Sequence, residues 1–161
     1  MRTVFELGCN RGNNLLAIMS LQEDTRVLGA EINGHAREEA EQNGVPALGD
    51  DWYEEAPKLM GGRFDLVFTA GLLIHISPKE LGDVMTKLVA LSDRYVLSIE
   101  YEDEFEQMVM YRGHGDRLWR RPYGGIYQEM GLTRIMRGNL GAEQGFGEGC
   151  TYHLMEKKNA H

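Results

Sequence analysis

Cysteine is nearly missing from this 161-residue chain, which has only Cys9 and Cys150. Two cysteines do not form a disulfide framework, and no Cys/His spacing of zinc-ligand type occurs. This usage fits a reducing cytoplasm. Positive charge is scarce as well. Seventeen Lys and Arg stand against 25 Asp and Glu, and the formal net charge of -8 repels nucleic-acid backbones and anionic membranes unless a local patch reverses the field. A nucleic-acid substrate is therefore not expected. No run approaches the roughly 18 apolar residues of a membrane span. Nor does the N-terminus show a charged segment followed by an apolar stretch of signal-peptide length. These absences lead to the expectation of a soluble, cytoplasmic protein of one domain, long enough for a substantial core and too short for a second catalytic domain.

A further absence lies in the first glycine turn. Glu6-Leu-Gly-Cys-Asn-Arg-Gly12 follows the short apolar run Val4, Phe5, and Glu31 closes a second apolar run. A strand, a glycine turn, a helix and a second strand tipped by a carboxylate make the first half of a nucleoside-binding α/β crevice. Dinucleotide folds need Gly-x-Gly-x-x-Gly, but counting from Gly8 the next two positions are Asn10 and Asn13. A P-loop needs Gly-Lys-Ser/Thr, and Gly12 is followed by Asn13 and Asn14. Neither phosphate cradle is present. The remaining pattern, acid-x-Gly-x-x-x-Gly, resembles the first motif of class I S-adenosylmethionine (SAM) methyltransferases, with Asn10 where a middle glycine often stands. A cofactor without phosphate, cationic at its sulfonium and ammonium, suits a loop with an acid at its mouth.

Along the chain, apolar periodicity predicts a first strand over 4–7 and a helix over 14–22 with Leu15, Ile18, Met19 and Leu21 on its buried side. A second strand follows over 27–31, then a helix over 36–43 closed by Gly44. Short runs predict strands over 45–48 and 64–69, the latter almost continuously apolar as a strand buried on both faces should be. Ser77, Pro78 and Glu80 form a helix-start signal, and Leu81, Val84, Met85, Leu88 and Val89 then recur at helical spacing. A fifth strand over 95–99 completes an alternation that argues for a parallel, doubly wound α/β sheet of Rossmann-like type. Beyond Tyr101 come a charged stretch, a basic segment, a short helix over 123–130 closed by Gly131, and strands over 132–136 and 151–155. The glycines at 141, 145, 147 and 149 suit a mobile, hairpin-like connection.

Each candidate residue has a plain structural alternative. Glu6 is either a solvated acid at a strand end or a carboxylate aimed at the cofactor's amino-acid moiety; its burial without a partner would be costly. Gly8 and Gly12 let the backbone turn sharply and approach a ligand. Glu31, at a strand end, would accept hydrogen bonds from ribose hydroxyls. Asp50 would accept from an adenine amino group, with Trp52 or Leu48 against the ring, or else it merely makes an Asp turn. His75 ends the stretch Thr69-Ala-Gly-Leu-Leu-Ile-His75, where small residues admit a methyl donor; a lone His among apolar residues is otherwise a packing residue. The segment from Tyr111 to Arg121 gathers four arginines in an acidic chain. The glycines flanking His114 imply a loop, and arginine forks suit a carboxylate or phosphate of an anionic small molecule.

The segments FTAGLLIHISP, VLSIEY and YRGHGDRLWRR resemble the methylases associated with pseudaminic acid biosynthesis, a branch of the class I SAM-dependent methyltransferases found beside bacterial surface-sugar genes. The resemblance covers nearly the whole chain. It implies a seven-stranded sheet with an antiparallel last strand, SAM as cofactor, and methylation of a nonulosonic-type sugar or conjugate. By position it gives Glu6, Gly8, Asn10 and Gly12 to the cofactor loop, Glu31 to the ribose and Asp50 to the adenine.

Relatives of this kind carry a leading helical segment over the cofactor, whereas here the first strand follows almost at once. The expectation is a methyltransferase domain over 1–161 without that cover, its pocket open, inactive or shielded by a second copy in a homo-oligomer. For a hydroxyl acceptor a histidine is the natural base. His114 is the first candidate and His75 the second, with Tyr111 orienting and Arg112 holding an anionic group. The competing readings are a SAM-binding pseudoenzyme or interaction module and a protein or nucleic-acid methylase.

Overall fold

The computed structural model describes residues 1–110, 113, 115, 117–145 and 149–158. The chain divides into two compact units: Met1–Phe68 with Lys87–Arg94, and Thr69–Thr86 with Tyr95–His161.

The first unit starts with β1 (Thr3–Leu7), α1 (Asn13–Leu21), β2 (Arg26–Ala30) and α2 (Gly34–Gln42). It continues with β3 (Ala47–Leu48), α3 (Trp52–Met60) and most of β4 (Phe64–Ala70). β1 runs parallel to both β2 and β4, which sets Glu6 between Gly29 and Phe68 in mid-sheet. A strand with neighbours on both sides is buried on both faces, hence the apolar runs. Phe5 packs between Phe64 and Trp52, with ring centroids 5.2 and 5.8 Å away. Trp52 thus contributes to the core through Phe5.

Two expectations for this unit are corrected. Leu21 is not on the buried side of α1 but 87% exposed. Six residues after Leu15 it has turned about 240° around the helix, away from the buried stripe. The third strand is only Ala47–Leu48, because those are the residues in register with Gly29 and Ala30 of β2. Helix α3 has no counterpart in the expectation. Pro57 sits inside it, where proline removes a helical hydrogen bond and disguises the pattern.

After β4 come a 3-10 turn (Leu73–His75) and α4 (Pro78–Leu91), which runs without a loop into β5 (Ser92–Glu100); the end of α4 and the start of β5, Lys87–Arg94, belong to the first unit and the rest to the second. α4 starts at Pro78, as the helix-start signal predicts, and the Ser77 hydroxyl donates to the Glu80 carboxylate at 2.6 Å. Then come β6 (Gln107–Met108), β7 (Trp119–Arg120), α5 (Tyr123–Glu129), β8 (Thr133–Leu140) and β9 (Cys150–Glu156). β6 and β7 form a small antiparallel ladder that the sequence reading lacks. β9 is antiparallel to both β5 and β8.

The main sheet has seven strands in the order β3-β2-β1-β4-β5-β9-β8, parallel except for β9, as the α/β expectation with an antiparallel last strand requires. Among the described residues no helix is long and apolar enough to cross a membrane.

Candidate functional site

The glycine turn after β1 is held in a repeating left-handed conformation, with φ of 79° at Gly8, 49° at Asn10 and 80° at Gly12. Asparagine is among the few side-chain-bearing residues that accept this region, which explains how Asn10 occupies a position that glycine often fills. The amides of Gly8 and Cys9 both donate to the Ala30 carbonyl, at 2.8 and 3.0 Å, tying the turn to the end of β2. At Gly12 a Cβ would lie 2.9 Å from Cβ of Val45. Its glycine is therefore required by chain packing as well as by φ.

Glu31 stands immediately past β2, half-buried. One carboxylate oxygen accepts from the Asn10 amide at 3.0 Å and the other from the Asn33 amide at 2.9 Å. Asn33 in turn caps α2, its side chain accepting from the amides of His35 and Ala36. Glu31 thus braces the turn and the helix start together, and lines a cavity of about 240 Å³ with Asn10, Arg11, Asn33, His35 and Glu39. Carboxylate oxygens have lone pairs beyond these single bonds, so the brace leaves acceptor capacity for hydroxyls. Asp50 lies exposed after β3 and is not among the residues lining this cavity.

Glu6 is only 1% exposed. Its Oε1 accepts from the Asn14 side-chain amide at 2.7 Å, while Oε2 has no hydrogen-bond partner among the described residues. Burial pushes its pKa up to about 7, against the lowering by Asn14 and with a further push from the negative charge of Glu31. An orphaned buried carboxylate oxygen beside a second carboxylate is a place where a cation would be stabilised. That fits the cationic cofactor expected from the glycine motif.

In the second unit, Nδ1 of exposed His75 lies 2.7 Å from the Arg117 carbonyl oxygen. A carbonyl only accepts, so Nδ1 is the donor in this contact. Tyr111, Arg112 and His114 lie outside the described residues. The basic segment as a wall of ligand-binding arginines needs one correction. Arg121 is 1% exposed and committed to the protein: Nε donates to Glu106 at 2.6 Å, Nη1 to the Leu73 carbonyl at 3.1 Å and Nη2 to the Ile76 carbonyl at 3.0 Å. A guanidinium cannot leave such a set for a ligand without stranding buried carbonyls.

Two carboxylates were not foreseen. Glu100, at the end of β5, is 1% exposed and accepts from the Thr69 hydroxyl and from the amides of Leu72, Leu73 and Ile74, at 2.8 to 3.4 Å. Burial raises its pKa to about 7 despite those bonds. Glu102 lies 2.9 Å by both oxygens from Nε2 of buried His153. Burial pushes Glu102 up, but the hydrogen bond and charge of His153 bring it below the ordinary range. This pair lines a second cavity, of about 410 Å³, with Asp103, Glu104, Arg134 and Arg137. No local pattern marks these residues, since their partners are distant in the chain.

No family model matches the chain, and no curated protein matches it significantly. Solved structures match over nearly its whole length. The 1,6-didemethyltoxoflavin-N1-methyltransferase of Burkholderia thailandensis, with 1,6-didemethyltoxoflavin and S-adenosylhomocysteine bound, is 17% identical at a TM-score of 0.75, covering 98% of this chain and 71% of that one. The chain has the fold of SAM-dependent methyltransferases. The magnesium protoporphyrin IX methyltransferase of Synechocystis with bound SAM is 18% identical, covering 96% and 69%, at a TM-score of 0.70. The N-terminal domain of EvdMO1, crystallised in the presence of S-adenosylhomocysteine and D-fucose, is 19% identical over 98% and 76%, with a TM-score of 0.63. At these identities it is the fold that is shared. Within this fold, Glu6 lies in the first strand, the glycine turn follows it, and Glu31 comes directly after the second strand.

Proposed function

We propose that the chain is a SAM-dependent methyltransferase acting on a small, anionic acceptor of sugar type, such as a nonulosonic acid or conjugate. The observation that carries the reading is the orphaned Oε2 of buried Glu6 beside the left-handed turn Gly8–Gly12. Its support from comparison is that neighbours of the same fold were crystallised with SAM or S-adenosylhomocysteine, and one of them in the presence of a sugar.

In this reading Glu6 balances the cationic end of the cofactor, Gly8, Asn10 and Gly12 shape its bed, Glu31 accepts from the ribose, and Asp50 accepts from the adenine amino group. SAM, when bound, supplies a methyl group already activated on sulfonium. The remaining work is alignment, exclusion of water and removal of the acceptor's proton. His75, whose Nδ1 lies against the Arg117 carbonyl, is one proposal for the group that takes that proton. His114, Tyr111 and Arg112 stay as further proposals for the base, its orientation and the anion contact.

Calorimetry with SAM, NAD and ATP tests the cofactor, and transfer of labelled methyl to a panel of acidic nonulosonic sugars and neutral hexoses tests the acceptor. Micromolar SAM binding with labelling of an acidic sugar is the expected result. Tight NAD or ATP binding without SAM binding overturns the cofactor assignment. Labelling of a protein or nucleic acid instead of any sugar overturns the acceptor class.

A further inference from the structure

Strand β8 contains an irregularity with a chemical result. Arg134 stands opposite Met155 of β9 and Arg137 opposite His153, and the register shifts between Arg134 and Met136. Alternate residues of a strand share a face, so Met155 and His153 do, and the arginines paired with them lie on that face too. In a regular strand two residues three positions apart point to opposite faces. The bulge at Ile135 therefore brings two guanidiniums to one side, at the cost of regular pairing and of placing like charges near each other.

That side opens on the cavity of about 410 Å³, which both arginines line and whose opposite wall is the acidic run Glu102-Asp103-Glu104 after β5. Its volume is of the order that holds a small polar molecule. The floor is fixed by the Glu102–His153 pair. The Glu102 carboxyl is held below its ordinary range by His153, so it accepts, and Nε2 of the imidazole donates to it. The Gly124 amide donates to the same carboxylate at 3.4 Å, and a Cβ at Gly124 would lie 2.5 Å from the His153 ring, so α5 presses directly on the imidazole. His153 is 1% exposed, and its Nδ1 has no hydrogen-bond partner among the described residues. With Nε2 donating, Nδ1 of a neutral ring is one more acceptor.

The charges of the two walls are not spent on each other. Nη2 of Arg137 lies 3.8 Å from Oε2 of Glu102, beyond hydrogen-bond length, and both arginines are exposed. A simple anion would be drawn by the arginines and repelled by three carboxylates, and a simple cation would meet the reverse. A molecule carrying both charges satisfies both walls. Since the walls approach so closely at Arg137 and Glu102, the two charges belong on one carbon.

We propose that this cavity is a second small-molecule site, for a free α-amino acid whose carboxylate is held by Arg134 and Arg137 and whose ammonium is held by the Glu102–Glu104 wall. The site does not rest on the methyltransferase reading. The bulge in β8 is what builds its anion-binding half.

The test is a proton–nitrogen NMR titration of the labelled full chain with each of the common L-amino acids. Saturable shifts of the Glu102–Glu104 and Arg134–Arg137 amides are expected for at least one of them. The deamino and decarboxy analogues of that amino acid are expected to bind about 10- to 100-fold more weakly, the scale of losing hydrogen bonds between charged groups. Arg134→Gln and Arg137→Gln are expected to cost a similar factor. Glu104→Gln, on the other wall, gives the same reading should an arginine variant not fold. No saturable shift with any amino acid overturns the inference. An analogue lacking one charge that binds as tightly as its parent overturns the ligand class, and undiminished binding in the folded variants overturns the location. SAM also ends in an α-amino acid, so its affinity is measured alongside by calorimetry. Unchanged SAM binding in the arginine variants separates this site from the one at Glu6, whereas a parallel loss of SAM binding overturns the claim of a second site. A wild type that takes up an amino acid here and binds no SAM sinks the cofactor reading alone and supports this site.

Discussion

Replacing Glu6 with glutamine should make the cofactor-free protein more stable at pH 8, although a buried charged residue is being removed from the centre of the sheet. The reason is the raised pKa. In the unfolded chain Glu6 titrates near its ordinary 4.5, and in the fold near about 7. The folded state therefore binds the proton more tightly, so stability is highest below 4.5 and is lost as pH rises through about 7. The full loss corresponds to about 3 kcal/mol at about 1.4 kcal/mol per pH unit. Glutamine keeps the acceptor for the Asn14 amide and removes the titration. Urea midpoints at pH 5, 6, 7 and 8 should diverge between wild type and Glu6→Gln, with the variant ahead by up to that amount at pH 8. Glu100 titrates in the same direction in both proteins and sets a common background. Cofactor binding should move oppositely: a cation favours the charged carboxylate, so SAM affinity in wild type should rise with pH up to about 7 and stay flat in the variant. Parallel stability profiles would refute the claim that Glu6 holds its proton in the fold, and parallel affinity profiles would refute its role opposite a cation.

Three further outcomes are expected. Glu31→Ala should weaken SAM binding by about 1 to 3 kcal/mol, the scale of hydrogen bonds to a charged acceptor, and calorimetry on the folded variant measures it. Gly12→Ala should cost about 1 to 3 kcal/mol in thermal unfolding, because φ of 80° and a Cβ 2.9 Å from Val45 must both be accommodated; an unchanged melting temperature would contradict the packing argument. Ser77→Ala should destabilise by about 1 kcal/mol in urea, the net worth of one hydrogen bond, here from the hydroxyl to the Glu80 carboxylate.

What the sequence made legible was local. The runs at Val4–Phe5 and Val27–Ala30 gave their strands, Gly8 and Gly12 the left-handed turn, and Ser77-Pro78 the start of α4, because each depends on neighbours within a few residues. Leu21 was misplaced in helical phase, and α3 was masked by Pro57. Ala47–Leu48 depends on register with β2, which no single strand records. Glu100 and Arg121 escaped notice for a related reason. The groups they hold in Thr69 and the turn Leu72–Ile76 lie 26 to 48 residues away in the chain, so only the folded topology makes a carboxylate and a guanidinium close on one turn.

The bond between Thr69 and Glu100 closes a loop of 31 residues that contains all of α4 and nearly all of β5. Closing a flexible loop of that length costs about 3 kcal/mol of chain entropy, so the clasp is worth forming only once the helix has crossed over and the strand has docked. During folding it should therefore be a late event, with low φ-values for Thr69→Ala and Glu100→Gln. A chain stalled before that step could own a complete glycine turn and still leave the amides of Leu72, Leu73 and Ile74 without their carboxylate acceptor. The clasp makes the order of three amides, those of Leu72, Leu73 and Ile74, a report on whether the whole crossover has been assembled.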